Sequence, residues 1–222
     1  MARRRFSDAQ RTLMQERILD AAMAVFEKKG GLDALSFRGL AAELGMSYST
    51  PYRYFESKEV LVNALRTRAF RWLERLIEDA IDGVSDPEER LEKLAEAYIR
   101  ASVLHPHRYE LMFFNLDSTD EAKRSLSLKA AKRDALDVCT RVIADGQKRG
   151  RFPRRTDPLT AAHLFWVAAH GLVSLQIAGQ LVMGRDLNTL MPLIIHTLMK
   201  GMEQLDPAEA PPKLVNLQEA SS

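Results

Sequence analysis

Hydrogen-bond donors concentrate in one short stretch of this sequence, residues 36–58. The stretch reads SFRGLAAELGMSYSTPYRYFESK, and it places Tyr52, Tyr54, Ser57 and Lys58 in close succession. Hydroxyl and ammonium groups donate hydrogen bonds to anionic oxygens such as those of phosphates. A purely apolar core needs neither two tyrosine hydroxyls nor a serine–lysine pair at this point. The run therefore indicates a polar, anionic partner.

Two short helices that meet at a glycine are predicted to position these donors. Ser36 is expected to cap the first helix, which runs through Leu44, and Gly45 supplies the positive φ of a tight turn. The second helix is predicted from Ser47 to about Phe55. Its first residues, 48–50, then lie where a helix-turn-helix enters a major groove. The alternative is an ordinary corner of an all-α protein, but the aromatic run that follows favours the DNA-binding interpretation.

The same segment closely resembles the TetR family of bacterial repressors. In that family a glycine turn precedes a recognition helix that ends Tyr-x-His/Tyr-Phe, before a polar pair and a lysine. Here the residues are Tyr52-Arg53-Tyr54-Phe55-Glu56-Ser57-Lys58. With the helix that contains RILDAA and the stop at Gly30-Gly31, the resemblance covers roughly residues 10–65. Pro51 departs from the family pattern, which usually has an apolar, non-proline residue there, and it moves the expected helix start to near Ser49.

The resemblance implies roles for individual residues. Base edges are assigned to Arg38, Tyr48, Ser49 and Thr50. Phosphate contacts, which fix position without reading sequence, are assigned to Ser36, Tyr52, Tyr54 and Lys58. Arg53 is assigned to either class. Two alternatives stay open: one of the two tyrosines is a core residue, and the Arg3-Arg4-Arg5 arm is either a DNA contact or only a solvated tail.

The rest of the sequence also predicts helices, because apolar residues recur at helical spacing and no run alternates as a strand does. Helices are expected at 9–29, from Ser57 to about Ile81, from about 87 to Leu104, and from Ser118 or Thr119 to about Arg149. The fold class is therefore all-α, with a three-helix helix-turn-helix domain and a larger helical domain for ligand sensing and dimerisation. The predicted division is 1–56 with a basic arm, 57–205, and a disordered tail at 206–222.

A small-molecule site is expected in the larger domain. His163, His170 and Ser174 share one side of an uncharged helix, and polar groups there need partners. They are either satisfied core groups or the wall of a pocket. As a pocket, the ligand-binding residues would be Tyr109, Met112, Phe113, Trp166 and His170, which suit a mostly apolar effector. Two histidines without a third ligand at metal spacing give no metal site.

The last two helices are expected at about 158–182, with Gly184 as the stop, and at 186–204. Both are apolar over more than half of their circumference, which is too much for the surface of a monomer. A homodimer is expected, and it would bind a near-palindromic stretch of double-stranded DNA. Residues 158–184 carry no charge and are long enough to span a bilayer. Their several polar side chains favour a helix buried between protein surfaces over a membrane span.

The bulk composition fits a globular protein of this kind. The net charge is +2, apolar residues make up 46%, and Cys139 is the single cysteine. A basic but polar start resembles no signal peptide, so a cytoplasmic location is expected. No cofactor or catalytic motif such as HExxH, GxGxxG or a P-loop occurs. Two alternatives are an architectural DNA-binding dimer without ligand sensing and, less favoured, a helical enzyme, which would lack a nucleophile apart from Cys139.

Overall fold

Eight α-helices and no strand occur in the residues that the computed structural model describes, 8–29, 31–114 and 125–204. The predicted all-α class is confirmed. The helices are α1 (Asp8–Lys29), α2 (Phe37–Glu43), α3 (Lys58–Ile81), α4 (Pro87–Leu104), α5 (Pro106–Phe113), α6 (Leu126–Lys148), α7 (Pro158–Ile177) and α8 (Leu187–Gln204). Two short 3-10 helices, Leu32–Ala34 and Pro51–Arg53, lie between them.

Side-chain caps begin several of these helices where the sequence predicts a start. The Ser57 hydroxyl accepts from the Val60 amide at the beginning of α3, and Asp86 accepts from Glu89 at the beginning of α4. Asp157 accepts from Leu159 and Thr160 at the beginning of α7. Each cap satisfies an amide that has no partner within its own helix. These helix starts are therefore fixed by local chemistry.

The chain folds into two compact units. The first comprises Met1–Ala80 and Ala97–Leu136, and the second Ile81–Glu96 and Asp137–Ser222. In the first unit, α1 packs against α2 and α5, and its Ile18, Ala22 and Phe26 are fully buried. The functional division at residue 56 stays a prediction.

In the second unit α7 packs closely against α8. The prediction that the uncharged helix continues to Gly184 is wrong, because α7 ends at Ile177. Gly179 has a φ of +65°, and the Gln180 amide donates to the Leu175 carbonyl at 2.8 Å. A left-handed residue with this backward hydrogen bond is the usual glycine stop of a helix.

α7 is long and apolar enough to cross a membrane by length and composition, with a mean hydropathy of 1.3 over its best window. A third of that window is buried within the chain. Core helices of globular proteins satisfy the same criteria, so this property alone identifies no span. Three predicted features lie outside the described residues: the Arg3-Arg4-Arg5 arm, a helix start at Ser118 or Thr119, and the tail at 206–222. The helix α6 itself begins at Leu126, where the Ser125 hydroxyl accepts from the Leu128 amide.

Candidate DNA-binding surface

The first half of the surface is α2 with the turn that follows it. The Ser36 hydroxyl accepts a hydrogen bond from the Gly39 amide at 3.1 Å, which caps α2 as predicted. Leu40 and Ala41 are each 1% exposed, and they hold the helix against its neighbours. Gly45 has a φ of +63°, a conformation that side chains strongly disfavour. The predicted glycine turn is confirmed.

The second half is tighter than the predicted α-helix at 47–55. Thr50 donates its amide to the Ser47 carbonyl, Arg53 to Thr50, and Tyr54 to Pro51, all with the three-residue spacing of a 3-10 helix. Only Pro51–Arg53 is assigned as helical. Pro51 has no N–H and therefore cannot donate the bond to Ser47 that an α-helix would require. The expected helix start near Ser49 is also wrong, because residues 48–50 form turns and only the short 3-10 helix follows them.

The nine candidate contact residues differ little in their accessibility. Seven of them are exposed, and Thr50 and Tyr54 are half-buried. Tyr48 is 72% exposed and Tyr52 54%, which is unusual for large aromatic side chains. The exposed members are Ser36, Arg38, Tyr48, Ser49, Tyr52, Arg53 and Lys58. The segment thus presents hydroxyl, phenol, guanidinium and ammonium groups to the solvent.

The two tyrosines of the aromatic run have distinct surroundings. The Tyr52 ring packs against Phe37 with centroids 4.4 Å apart and an interplanar angle of 62°. Phe37 is 7% exposed, so one face of Tyr52 is supported while its remaining surface stays accessible. The Tyr54 backbone carbonyl accepts a hydrogen bond from the Gln15 side chain of α1 at 3.4 Å. Neither tyrosine is a buried core residue.

The charge of this surface is modest. Residues 36–58 contain three cations, Arg38, Arg53 and Lys58, and two acids, Glu43 and Glu56. Lys58 begins α3 directly after the Ser57 cap. Since helix N-termini also present amides to anions, the beginning of α3 suits a phosphate oxygen. Binding at this surface would depend on neutral donors as much as on charge.

Sequence reasoning missed three residues that shape this surface. Gln15 joins α1 to the backbone at Tyr54, and Phe37 supports the Tyr52 ring. The Ser47 hydroxyl lies 2.7 Å from the Thr50 hydroxyl, which restrains a candidate base-reading side chain. Phe37 had a signal in the sequence, an apolar residue after a capping serine. Gln15 had none, since it is 39 residues from its partner.

One part of the predicted effector site lies on α5, in the first unit. Tyr109 and Met112 are each 1% exposed, and Phe113 is half-buried. The Phe113 ring lies 5.0 Å from Tyr109 and 5.6 Å from Phe70, centroid to centroid. Arg66, which is 4% exposed, donates to the Met112 carbonyl at 3.1 Å. An aromatic cluster with one buried cation therefore surrounds this face of α5.

The other part lies on α7, in the second unit. Trp166 and His170 are half-buried, with ring centroids 5.4 Å apart. Partial burial lowers the pKa of the His170 imidazole, since desolvation disfavours its charged form. His163 is exposed, and its Nδ1 lies 2.8 Å from the Leu159 carbonyl. Across the described residues, no three His, Cys, Asp or Glu side chains are grouped as metal ligands.

Two family models match the sequence and together span most of it. Residues 18–65 match "Bacterial regulatory proteins, tetR family", and residues 91–198 match "Tetracyclin repressor-like, C-terminal domain". Among curated proteins, the chain is similar to the HTH-type transcriptional repressor KstR2 of Mycobacterium tuberculosis, with 32% identity over 110 residues. That match covers 50% of this chain and 52% of KstR2, so it spans about half of the relative's length.

Solved structures support the same architecture over nearly the whole chain. A protein of unknown function from Rhodococcus sp. RHA1 has a TM-score of 0.76 and 25% identity, and the match covers 86% of this chain and 96% of that one. The regulator FadR from Bacillus subtilis, in complex with stearoyl-CoA, has a TM-score of 0.68. Its identity is 19%, with 84% of this chain and 98% of that chain covered, so this likeness concerns the fold alone.

Proposed function

This chain belongs to the TetR family of bacterial regulators, and we propose that it is a sequence-specific DNA-binding repressor that a small effector releases from its operator. The main observation behind this proposal is the set of exposed hydrogen-bond donors on α2, the 3-10 segment and the start of α3. Tyr48 and Tyr52 are large aromatic side chains held in solvent, and Ser36, Arg38 and Lys58 flank them. A surface of this composition suits phosphate oxygens and base edges.

Selection of bound sequences from random duplex DNA tests this proposal. We expect a near-palindromic site, with half-sites about one helical turn apart or more. Lys58→Ala should weaken binding to all sequences and lower the salt slope by about one unit. Arg38→Ala should relax the preference at one base pair, at a cost of about 1–3 kcal/mol.

Lys93→Ala is the matched control for the lysine variant. Lys93 is a partly exposed lysine on α4 that pairs with Glu89 one turn away at 3.4 Å. Its removal should leave the salt slope unchanged. Wild-type protein with no sequence preference at moderate salt would contradict the proposed function.

A homodimer through α7 and α8 is part of this proposal. Leu164, Val167, Gly171 and Leu175 share one face of α7, and the three with side chains are 43%, 61% and 47% exposed in chain order. A Cβ at Gly171 would meet nothing within 4 Å, so packing within the chain does not require glycine there. Glycine in a helix interior destabilises it relative to alanine. A second copy that approaches closely accounts for both features.

The effector is proposed to be a mostly apolar molecule with one polar group. Two sets of residues are proposed to contact effectors, and each is tested by itself: Tyr109, Met112 and Phe113 on α5, and Trp166 and His170 on α7. Both sets offer much apolar area and few donors. A preference of 1–3 kcal/mol for the conformation that does not fit DNA would change operator affinity by about 5–150-fold. Trp166→Ala and His170→Ala should reduce the response to a panel of such compounds while operator binding is kept. Unchanged responses in both variants would place the pocket elsewhere.

A regulator of this kind needs no catalytic group, and we expect no turnover. Cys139 is a poor candidate nucleophile, because burial raises the pKa of its thiol to about 12 and the thiolate is the reactive form. We also propose a cytoplasmic location, because that is where the DNA of a bacterium lies. Operator binding that no compound shifts would favour the alternative of an architectural DNA-binding dimer.

A further inference from the structure

Arg108, on the short helix α5, contacts two other helices at once. Its Nε donates to the Glu27 carboxylate near the end of α1. Its guanidinium carbon lies 4.6 Å from the centroid of the Trp72 ring on α3. The Arg108 side chain is 23% exposed and that of Glu27 37%, so the pair is partly shielded from water. One side chain thus joins α5 to both α1 and α3.

The neighbouring residues make a second contact between α1 and α5. Phe26, which is fully buried, meets the His107 ring edge to face, with centroids 6.3 Å apart and planes at 82°. Two consecutive residues of α1 therefore contact two consecutive residues of α5. Because α1 ends at Lys29, the Arg108 cation also lies near a helix C-terminus, where positive charge is favourable. The last turn of α1 is fixed to α5 by an ion pair and an aromatic contact together.

An earlier turn of α1 contacts the DNA-binding surface. Gln15 donates to the Tyr54 carbonyl at 3.4 Å, and Tyr54 is one of the candidate phosphate contacts. Gln15 and Glu27 are twelve residues apart in one helix, which corresponds to about 18 Å. A helix of this length moves nearly as a rigid rod over such a distance. A displacement at Glu27 would therefore shift the backbone at Tyr54.

The helix that carries Arg108 also carries three residues of the proposed effector site, Tyr109, Met112 and Phe113. α5 has eight residues, about 12 Å of helix, so it is displaced as one body. We propose that Arg108 is a positioning residue that fixes α5 to α1 and so holds the segment at Tyr54 in its DNA-binding conformation. This inference rests on the proposed function, since it concerns operator affinity.

The experiment measures the affinity of full-length variants for a duplex selected with the wild-type protein. Arg108→Gln should weaken binding about tenfold, within the range of coupling free energies between sites. Glu27→Gln should weaken it less, because the contact between Arg108 and Trp72 is kept. Arg108→Lys should restore most of the affinity, since a lysine keeps the charge. The double variant R108E/E27R should bind better than R108E alone, because the ion pair is restored with its charges exchanged.

Arg90→Gln is the matched control. Arg90 and Asp145 form another ion pair between two helices, with side chains 24% and 30% exposed and 3.3 Å between Nη1 and Oδ2. The Arg90→Gln variant should bind the duplex as the wild type does, with a change in Tm similar to that of Arg108→Gln. An Arg108→Gln affinity equal to that of Arg90→Gln would overturn the inference and leave the proposed function intact. A wild-type protein without sequence-selective binding would instead overturn the proposed function itself.

Discussion

The dimer proposal is best tested at Val167, in the middle of the exposed face of α7. This valine is 61% exposed, so a charged replacement adds little strain to a single chain. The sequence alone would have favoured changes at Ile194 or Leu198 on α8, but both are half-buried within the chain. Their neighbour Leu193 is 58% exposed. Val167→Glu therefore separates an effect on assembly from an effect on folding.

The expected loss of dimer stability follows from the exposure of Val167. Complete burial of a valine side chain contributes roughly 1.5–3 kcal/mol. Covering the exposed 61% would contribute about 1–2 kcal/mol in each copy. A glutamate in its place loses this contribution, and burial of the carboxylate costs several kcal/mol more per copy. A total loss of at least about 5 kcal/mol raises the dimer Kd by more than about a thousandfold.

Sedimentation at micromolar concentration measures the outcome. We expect the wild type to sediment as a dimer and Val167→Glu as a monomer that binds single half-sites weakly. Leu126→Glu is the control, because Leu126 is 85% exposed and belongs to the beginning of α6 rather than to α7 or α8. A Val167→Glu protein that remains dimeric at this concentration would refute the argument, since no dimer could bury two such carboxylates at its centre unpaired.

Three further predictions concern stability. Ser57→Ala removes the hydroxyl that caps α3 and should lower the free energy of unfolding by about 1 kcal/mol, which corresponds to a fall in Tm of about 2–4 °C. The Tm of Ser57→Asp should stay near that of the wild type, because aspartate also caps helices. Gly146→Ala would bring a Cβ within 2.1 Å of the Phe152 ring, so we expect it to lower the free energy of unfolding by about 1–3 kcal/mol. The second change Phe152→Leu should partly reverse this loss when the single and double variants are compared by denaturant unfolding. Burial lowers the pKa of His170 in the folded chain, so the unfolded chain binds the proton more readily. The neutral imidazole therefore contributes fully to stability above the unfolded pKa of about 6.5. This contribution is lost as the pH falls through the lower pKa of the folded chain. His170→Gln should therefore show a smaller loss of Tm on acidification, and equal losses would show that His170 is not the titrating group.

Much of the local structure could be predicted from the sequence because its causes are local. Ser36, Gly45 and Asp157 each act on backbone atoms within a few residues. Their effect does not depend on the remainder of the fold. The end of α7 was also encoded locally, by Gly179, but the prediction chose Gly184 instead. Both glycines have positive φ, and only the hydrogen bond from Gln180 to Leu175 identifies the first as the stop.

The candidate DNA-binding surface was recognisable from residue types, but its geometry was not. The hydroxyls and cations of residues 36–58 predicted an anionic partner, and the structure leaves most of them exposed. Pro51 signalled a change in the second helix, yet the resulting 3-10 turns were not predicted. The loss of one amide only weakens an α-helix, so packing around Pro51, which is buried, takes part in choosing the conformation.

Contacts between distant residues were decided by the tertiary structure alone. Gln15 reaches Tyr54 across 39 residues, and Arg108 reaches Glu27 across 81. A sequence shows which side chains could pair, but it contains many acids and many arginines. Which of them meet depends on how closely the helices pack and at what angle, and the apolar side chains buried between the helices set both.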